Sequence, residues 1–346
     1  NFHTAVKSSP LVILSGLSGT GKSQLVWCYA KALGLEKESL KMIPVRPNWS
    51  DDSDLIGFVD SMHSVYRPDD AGFVNTLIEA SKAENQDKLY LICFDEMNLA
   101  RVEHYFSQFL SILEMPEQNR FLKLYAKEYE TRLYNVDKYP SSVKIGNNLR
   151  FIGTVNMDES TFHFSDKVLD RANVIQLDLV PYTEWRVGEG KKTEPEQTEP
   201  GQTENEVWSY KKYGELVKEL DLEKDILSAR EREFLWKVHI TLNGCSKTLG
   251  VGPRILKQIA KYLINLPKTE SEEAISRREG FDIQFVQRVL TKVRGQKEQL
   301  YDIFDENVKT SLPKLFEEYS DISDFEKSKK MLEVKKREIE NYGYTL

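Results

Sequence analysis

A glycine-rich stretch lies between an apolar segment and a helical one, and it restricts the possible folds of this chain more than any other part of the sequence. It reads Gly16-Leu17-Ser18-Gly19-Thr20-Gly21-Lys22-Ser23. The run before it, Leu11–Ser15, predicts a strand, and Ser23–Leu33 predicts a helix that ends at Gly34. In that context the glycines let backbone N–H groups turn inward around phosphates, and the helix N-terminus adds partial positive charge. We therefore predict a phosphate-binding loop rather than an ordinary glycine-rich turn.

Four side chains near this loop are predicted to do the chemistry of a nucleoside triphosphate site. Lys22 should reach the β- and γ-phosphates, and the Ser23 hydroxyl should ligate Mg²⁺. The apolar run Leu89–Phe94 predicts a buried strand, and it is followed by Asp95 and Glu96. Asp95 would complete the magnesium shell, and Glu96 would polarise the attacking water. Many parallel strands end in an acidic loop, so this assignment depends on the phosphate loop upstream.

A further strand, predicted at Leu149–Thr154, delivers Asn156 just beyond its C-terminal end. Ligands of open parallel sheets bind at that edge, so the amide would orient water against the γ-phosphate. An asparagine that only caps Ser160 or its neighbours is the alternative.

The order of the predicted elements indicates an α/β fold with a parallel sheet covered on both faces. The predicted strands are Leu11–Ser15, Met42–Val45, Leu89–Phe94, Leu149–Thr154 and Val174–Leu177. The predicted helices between them are Ser23–Leu33, Phe73–Ala83 and Val102–Leu113.

The chain divides into three parts. Residues 1–188 form the predicted α/β nucleotide-binding part. Residues 189–206 contain an imperfect five-residue repeat with almost no apolar side chains, which predicts a disordered insertion because little surface can be buried. Residues 207–346 are predicted to form a smaller all-helical part. Its predicted helices are Tyr210–Leu220, Ala229–Leu242, Pro253–Leu266, Phe281–Val293 and Phe316–Asn341, the last with a break near Tyr319–Asp324.

Composition excludes several other classes. The formal net charge of −7 provides no bulk attraction for DNA, and the apolar runs are too short to cross a bilayer. Cys28, Cys93 and Cys245 lie far apart and the histidines are scattered, so we predict a reduced cytoplasmic protein with no metal beyond the nucleotide's magnesium. The chain does not start with methionine, and we expect it to be a fragment of a longer chain or a trimmed one.

Together these segments resemble the AAA+ superfamily, and specifically its McrB-like branch, which is related to MoxR-type ATPases. The segments that carry the resemblance are the phosphate loop, 95–106, 153–160, 167–175 and Gly252-Pro253-Arg254. The resemblance implies an AAA+ module with a helical lid. In it Asn156 is sensor 1, Arg254 is the sensor 2 arginine of the lid, and Arg171 is the arginine finger that reaches a neighbouring subunit's nucleotide. Guanidinium groups would compensate the charge that develops on the γ-phosphoryl oxygens.

Simpler roles remain for both arginines. Instead of acting as a finger, Arg171 could form a surface salt bridge with Asp170. Instead of acting as sensor 2, Arg254 could be an ordinary residue at the start of a helix.

McrB-like proteins are GTP-hydrolysing motors of modification-dependent restriction systems. The resemblance therefore implies a hexameric ring in antiviral defence, a McrC-like nuclease partner, and DNA contacts through a domain absent from this chain. The family signature has Met-Asn, two residues, then Asp-Arg, whereas this chain reads Asn156-Met157-Asp158-Glu159. The gap is one residue shorter and an acid replaces the arginine, which leaves the nucleotide and the exact partner contact open. The resemblance as a whole favours GTP over ATP.

Two other functions remain open at this point. One is a MoxR-type ATPase that remodels proteins without a nuclease, and the other is a non-catalytic switch in which nucleotide only holds a ring together.

Two inserted segments bear on substrate contacts. Trp49, in the segment 46–58, would grip a substrate if exposed or staple the loop if buried, and burial is favoured. The segment Phe121–Asn148 predicts a hairpin, but its mixed charges do not indicate a nucleic-acid site.

Overall fold

A computed structural model describes residues 1–35, 38–156, 162–178, 208–220, 226–267 and 274–345. The strands are β1 Leu11–Gly16, β2 Leu40–Pro44, β3 Phe58–Asp60, β4 Val65–Arg67, β5 Tyr90–Asp95, β6 Phe121–Lys123, β7 Ser142–Lys144, β8 Leu149–Asn156, β9 Ala172–Gln176, β10 Gly295–Gln296 and β11 Tyr344–Thr345. The helices are α1 Phe2–Ser8, α2 Lys22–Ala32, α3 Ser53–Ile56, α4 Phe73–Ser81, α5 Val102–Tyr105, α6 Ser107–Ile112, α7 Asp166–Leu169, α8 Tyr210–Glu215, α9 Ala229–Cys245, α10 Pro253–Ile264, α11 Arg277–Arg288, α12 Lys297–Phe304, α13 Leu312–Glu318 and α14 Glu326–Tyr342.

The main sheet has five strands in the order β2-β5-β8-β1-β9, and all of its pairings are parallel. The register aligns the strand ends, because Leu11 pairs with Phe151 and Ala172 while Gly16 pairs with Asn156. The carboxyl ends of all five strands therefore meet at one edge of the sheet, which we call the C-terminal edge. The prediction of a parallel sheet flanked by helices, with a helical C-terminal region, is confirmed.

Alternate residues of the strands enter two separate apolar cores, as the two-residue period of a strand requires. Leu11 and Ile13 pack with α4, α5, α6 and the β6–β7 pair. Val12 and Leu14 pack with α1, α2 and the helical C-terminal region. Both faces of β1 are fully covered, which explains why its sequence is a continuous apolar run rather than an alternating one.

The helical C-terminal region docks beside β9 and α1, near the N-terminal edge of the sheet. Lys7 of α1 donates to the carbonyl of Asn265 at 3.0 Å. From α11, the buried Arg288 guanidinium donates to the carbonyl of Ala172, the first residue of β9, at 2.5 Å. Burial lowers the pKa of Arg288 to about 9. These contacts bring the helical region close to β9 without involving the C-terminal edge.

Most predicted helices are present, but several boundaries differ. The helix predicted from Phe281 begins at Arg277, because the Ser276 side chain accepts a hydrogen bond from the N–H of Glu279. The helix predicted at 102–113 is divided at Phe106, whose backbone is not helical. Helix α12 was not predicted at all. The break predicted near 319–324 is confirmed as the gap between α13 and α14.

The two inserted segments also take defined positions. Trp49 is buried and its ring lies 5.1 Å from that of Tyr105 in an edge-to-face arrangement, which confirms the stapling interpretation. Strands β6 and β7 pair antiparallel, so the hairpin predicted within 121–148 is present. The predicted insertion at 189–206 lies outside the described residues, and the three-part division of the chain remains a prediction. Across the described segments, no helix is long and apolar enough to cross a membrane.

Acid should weaken the contact of α1 with α2. His3 Nδ1 lies 2.9 Å from the Tyr29 hydroxyl, and burial lowers the pKa of His3 from 6.5 to about 4. Between these values only the unfolded chain binds the proton, so stability is lost as pH falls from 6.5 towards 4. Because the ring is partly solvated, we expect a loss on the order of 1 kcal/mol.

This loss can be measured by urea unfolding of the wild type and His3→Gln at pH ~7.5 and pH ~5. The glutamine amide can still bond Tyr29 but does not titrate, so the variant should lose less stability on acidification. Equal losses in the two proteins would contradict the assignment.

Candidate functional site

The glycine-rich stretch forms a tight loop between β1 and α2. Gly19 and Gly21 have φ values of +83° and +81°, in the left-handed region that glycine adopts without steric cost. Helix α2 begins at Lys22, and no side chain caps its N-terminus. The first N–H groups of this helix therefore face the loop, in the arrangement that binds anions at helix N-termini.

Gly16, where β1 runs into the loop, has no room for a side chain. A Cβ there would lie 2.5 Å from the carbonyl oxygen of Leu177, and the φ of Gly16 is +155°. We expect Gly16→Ala to destabilise the chain by about 1–3 kcal/mol and to distort the loop. Gly214→Ala is the control, because a Cβ on α8 meets nothing within 4 Å, and this change should be neutral or stabilising. Chemical denaturation measures both, and equal unfolding free energies would contradict the prediction.

The Lys22 side chain is directed into the loop. Its ammonium group donates to the carbonyls of Gly16 at 3.0 Å and Leu17 at 2.7 Å, and lies 3.4 Å from the Thr20 hydroxyl. The side chain is buried, so a positive charge is held at the centre of the loop. From this position the Lys22 ammonium could bond phosphate oxygens in place of the loop carbonyls that it contacts here.

The hydroxyl of Ser23 and the carboxylate of Asp95 meet although 72 residues separate them. Ser23 Oγ donates to Asp95 Oδ1 at 2.6 Å. The same oxygen accepts from the Thr154 hydroxyl at 2.7 Å, which fixes the carboxylate against β8. A hydroxyl and a carboxylate side by side supply the oxygen ligands that Mg²⁺ prefers, beside a loop suited to phosphates. These residues therefore fit a magnesium–nucleotide complex.

Glu96 and Asn156 lie together at the C-terminal edge. Asn156 Nδ2 donates to Glu96 Oε1 at 3.2 Å, and Glu96 has a φ of +54°, which is unusual for a residue other than glycine. The N–H of Glu96 donates to the Thr154 hydroxyl at 2.9 Å, which holds this strained backbone in place. Such strain costs about 1–3 kcal/mol and is common at functional sites.

Two polar residues that support this edge were missed by sequence reasoning. Thr154 bonds both Asp95 and the backbone of Glu96, and Asn98 Nδ2 donates to the carbonyl of Asn156 at 2.8 Å. The sequence did offer a clue to Thr154, which is a hydroxyl residue inside an apolar strand. It lies two residues before Asn156, so the two side chains point to the same face of the strand. Asn98 carried no comparable signal, because its contact depends on how the loop after β5 folds back.

The structure does not bring Arg171 to the phosphate loop of its own chain. Arg171 precedes Ala172, which pairs with Leu11 at the start of β1, whereas the loop follows Gly16 at the other end. Five strand residues span roughly 16 Å, beyond the reach of an arginine side chain. Its guanidinium is held by the carbonyls of Leu110 at 2.7 Å and Lys167 at 2.6 Å.

Arg254 lies with Arg171 and away from its own phosphate loop. It is the second residue of α10, and its guanidinium forms an ion pair with Glu114 at 2.7 Å. Glu114 also pairs with Arg171 at 3.0 Å. Asp170, the alternative partner considered for Arg171, instead pairs with Lys292. The predicted site residues thus divide into one group at the C-terminal edge and an arginine pair at the N-terminal edge.

The fold and this edge define an α/β protein with a glycine-rich loop, an adjacent hydroxyl–carboxylate pair and a helical C-terminal region. Among the described residues, no group of three or more His, Cys, Asp or Glu side chains could hold a metal. Residues 205–344, most of the helical region, match the profile of a family described as "Domain of unknown function (DUF8727)". No curated protein matches the chain.

Among solved structures, the chain is similar to S. cerevisiae Hsp104 in a complex with casein in the extended conformation. The sequence identity is 17%, and the match covers 51% of this chain and 30% of the Hsp104 chain, with a TM-score of 0.34. This chain thus spans less than a third of that one. A TM-score at this level does not establish a shared fold.

Proposed function

We propose that this chain is a nucleoside triphosphatase of the AAA+ superfamily, and that it is the ring-forming motor subunit of a McrBC-like restriction complex. The observation that carries the proposal is the Ser23–Asp95 contact of 2.6 Å at the mouth of the glycine-rich loop. It joins a phosphate loop to a carboxylate from a separate strand, which is the pairing that magnesium-dependent phosphoryl transfer requires.

Each residue of the C-terminal edge has a role in this proposal. The amides of 16–23 and the Lys22 ammonium bind the phosphates. Ser23 and Asp95 would hold Mg²⁺, which would neutralise negative charge on the phosphates. Glu96 orients and deprotonates the attacking water, and Asn156 orients Glu96 through their 3.2 Å hydrogen bond.

The position of the arginine pair supports an assembled enzyme. Arg171 and Arg254 lie at the edge remote from their own phosphate loop, so they would serve a nucleotide bound by a second copy. A contact that presents one face of a subunit to a different face of the next is heterologous, and such contacts close into rings. We propose a hexamer in which each site is completed by its neighbour.

In the same proposal GTP is preferred over ATP and a McrC-like nuclease subunit stimulates turnover. DNA is contacted through a domain outside this chain. The nucleotide preference rests on the resemblance alone, since the departure at 157–159 lies outside the described residues.

Phosphate release from GTP and from ATP tests the proposal. Turnover should require Mg²⁺, rise with protein concentration, and be greater with GTP. Lys22→Ala should abolish it, whereas Lys31→Ala, on the exposed side of the same helix, should not. Mass photometry with a slowly hydrolysed analogue should show hexamers.

Other results would select a different function. A strict preference for ATP, with no effect of a nuclease partner, would favour a MoxR-type remodelling ATPase. Nucleotide-dependent rings without turnover under any condition would favour a non-catalytic switch. The absence of both nucleotide binding and turnover would overturn the proposal.

A further inference from the structure

Glu114 contacts both arginines of the pair through different oxygens. Its Oε2 lies 3.0 Å from Arg171 Nη2, and its Oε1 lies 2.7 Å from Arg254 Nη2. Glu114 follows α6, Arg171 precedes β9, and Arg254 begins α10. One carboxylate therefore joins three segments that are far apart in the chain, including one from the helical C-terminal region.

The two arginines depend on this carboxylate to different degrees. Arg171 is 18% exposed and also donates to the carbonyls of Leu110 and Lys167, so its orientation is determined by three acceptors. Arg254 is 47% exposed, and Glu114 is the carboxylate with which it pairs. Removing Glu114 should therefore leave Arg171 in place and release Arg254.

Two neighbouring carboxylates, those of Asp166 and Asp170, already have cationic partners. Asp170 pairs with Lys292, and Asp166 pairs with Arg294 at 2.6 Å. Two guanidinium groups brought together without a counter-ion repel each other, and within the described part of this edge Glu114 is the carboxylate that both share.

From this geometry we propose that Glu114 is a positioning residue for the hydrolysis reaction. It holds Arg254 beside Arg171, so that both guanidinium groups meet the terminal phosphate of a nucleotide bound by the next subunit. The inference rests on the proposed function and adds a residue that its mechanism did not include. The pair plus Glu114 retains one net positive charge, which suits an anionic partner.

Kinetics of Glu114→Gln test this role. The glutamine amide cannot pair with both arginines, so kcat should fall about tenfold or more, because misplaced catalytic groups cost rate steeply. KM should change little, since the two arginines are proposed to stabilise charge that develops in the transition state rather than the bound nucleotide. Glu117→Gln is the matched control, because this carboxylate, three residues away, bonds Asn147 and neither arginine.

Subunit mixing separates a positioning role from a general structural defect. Glu114→Gln subunits have intact phosphate sites, and Glu96→Gln subunits have intact arginines but lack the catalytic carboxylate. Excess Glu96→Gln protein should therefore restore turnover per Glu114→Gln site towards the wild-type value. A folding defect within the variant chain would not be rescued in this way.

The possible results are distinguishable. A lower kcat with unchanged KM and rescue on mixing supports the role of Glu114. Unchanged or higher turnover in Glu114→Gln, or a loss that mixing does not rescue, overturns it. If the wild type itself does not hydrolyse either nucleotide, the proposed function fails first.

Discussion

Replacing Arg171 with alanine should lower turnover by ~10³-fold or more while nucleotide binding is retained. An arginine finger stabilises charge on the transferring phosphoryl group and contributes little to ground-state binding. In this chain the Arg171 guanidinium donates hydrogen bonds to the carbonyls of Leu110 and Lys167, so it is oriented before any second subunit binds. Such preorganisation is what makes a charged group effective in catalysis.

The effect of Arg171→Ala is measured by single-turnover hydrolysis together with fluorescent nucleotide binding. Arg278→Ala is the control, since this residue pairs with Asp324 on the surface of the helical region. Mixing with Glu96→Gln subunits should restore turnover, because in the proposed ring the neighbouring chain would supply the arginine. Wild-type turnover in the variant would exclude Arg171 from the reaction, and loss of nucleotide binding would indicate a structural role instead.

Glu96→Gln should reduce turnover by ~10²–10⁴-fold, the usual contribution of a positioned general base. Glutamine retains the oxygen that accepts from Asn156, so the geometry of the edge should be preserved while the basic group is lost. Binding of nucleotide should be unchanged, and rings formed with GTP should persist longer because the nucleotide is consumed slowly.

Phosphate release and mass photometry measure the two consequences of Glu96→Gln. The exposed Glu128 provides the control substitution Glu128→Gln, which should leave both properties unchanged. Undiminished turnover in Glu96→Gln would show that Glu96 is not the general base and that another group activates the water.

Several features of the site could be predicted from the sequence because they depend on short-range order. The glycine-rich loop is contiguous, and an apolar strand before it and a helix after it follow from local patterns. The C-terminal edge could also be anticipated, because parallel strands that end in polar residues gather those residues at one edge. Asp95, Glu96 and Asn156 were named on that basis, and the structure brings them together.

The supporting contacts could not be predicted. Thr154 reads as one polar residue in an apolar strand until its hydroxyl is seen to bond Asp95 and the backbone of Glu96. The division of a predicted helix at Phe106 also had no local signal, since this ring is packed in a cluster with Phe94 and Phe109. Packing between remote segments outweighed the local helical pattern there.

Local sequence patterns were enough to predict the glycine-rich loop, the acidic residues at the end of β5 and the alternation of strands and helices. These follow from interactions between near neighbours in the chain, where residue type and spacing decide the local conformation. The meeting of Arg171 and Arg254 at Glu114, at the edge opposite the glycine-rich loop, is a product of tertiary packing. The three residues are separated by 57 and 83 positions, and their meeting depends on how the helical region docks beside β9. No local pattern encodes that docking, because it is the sum of many weak contacts between distant segments.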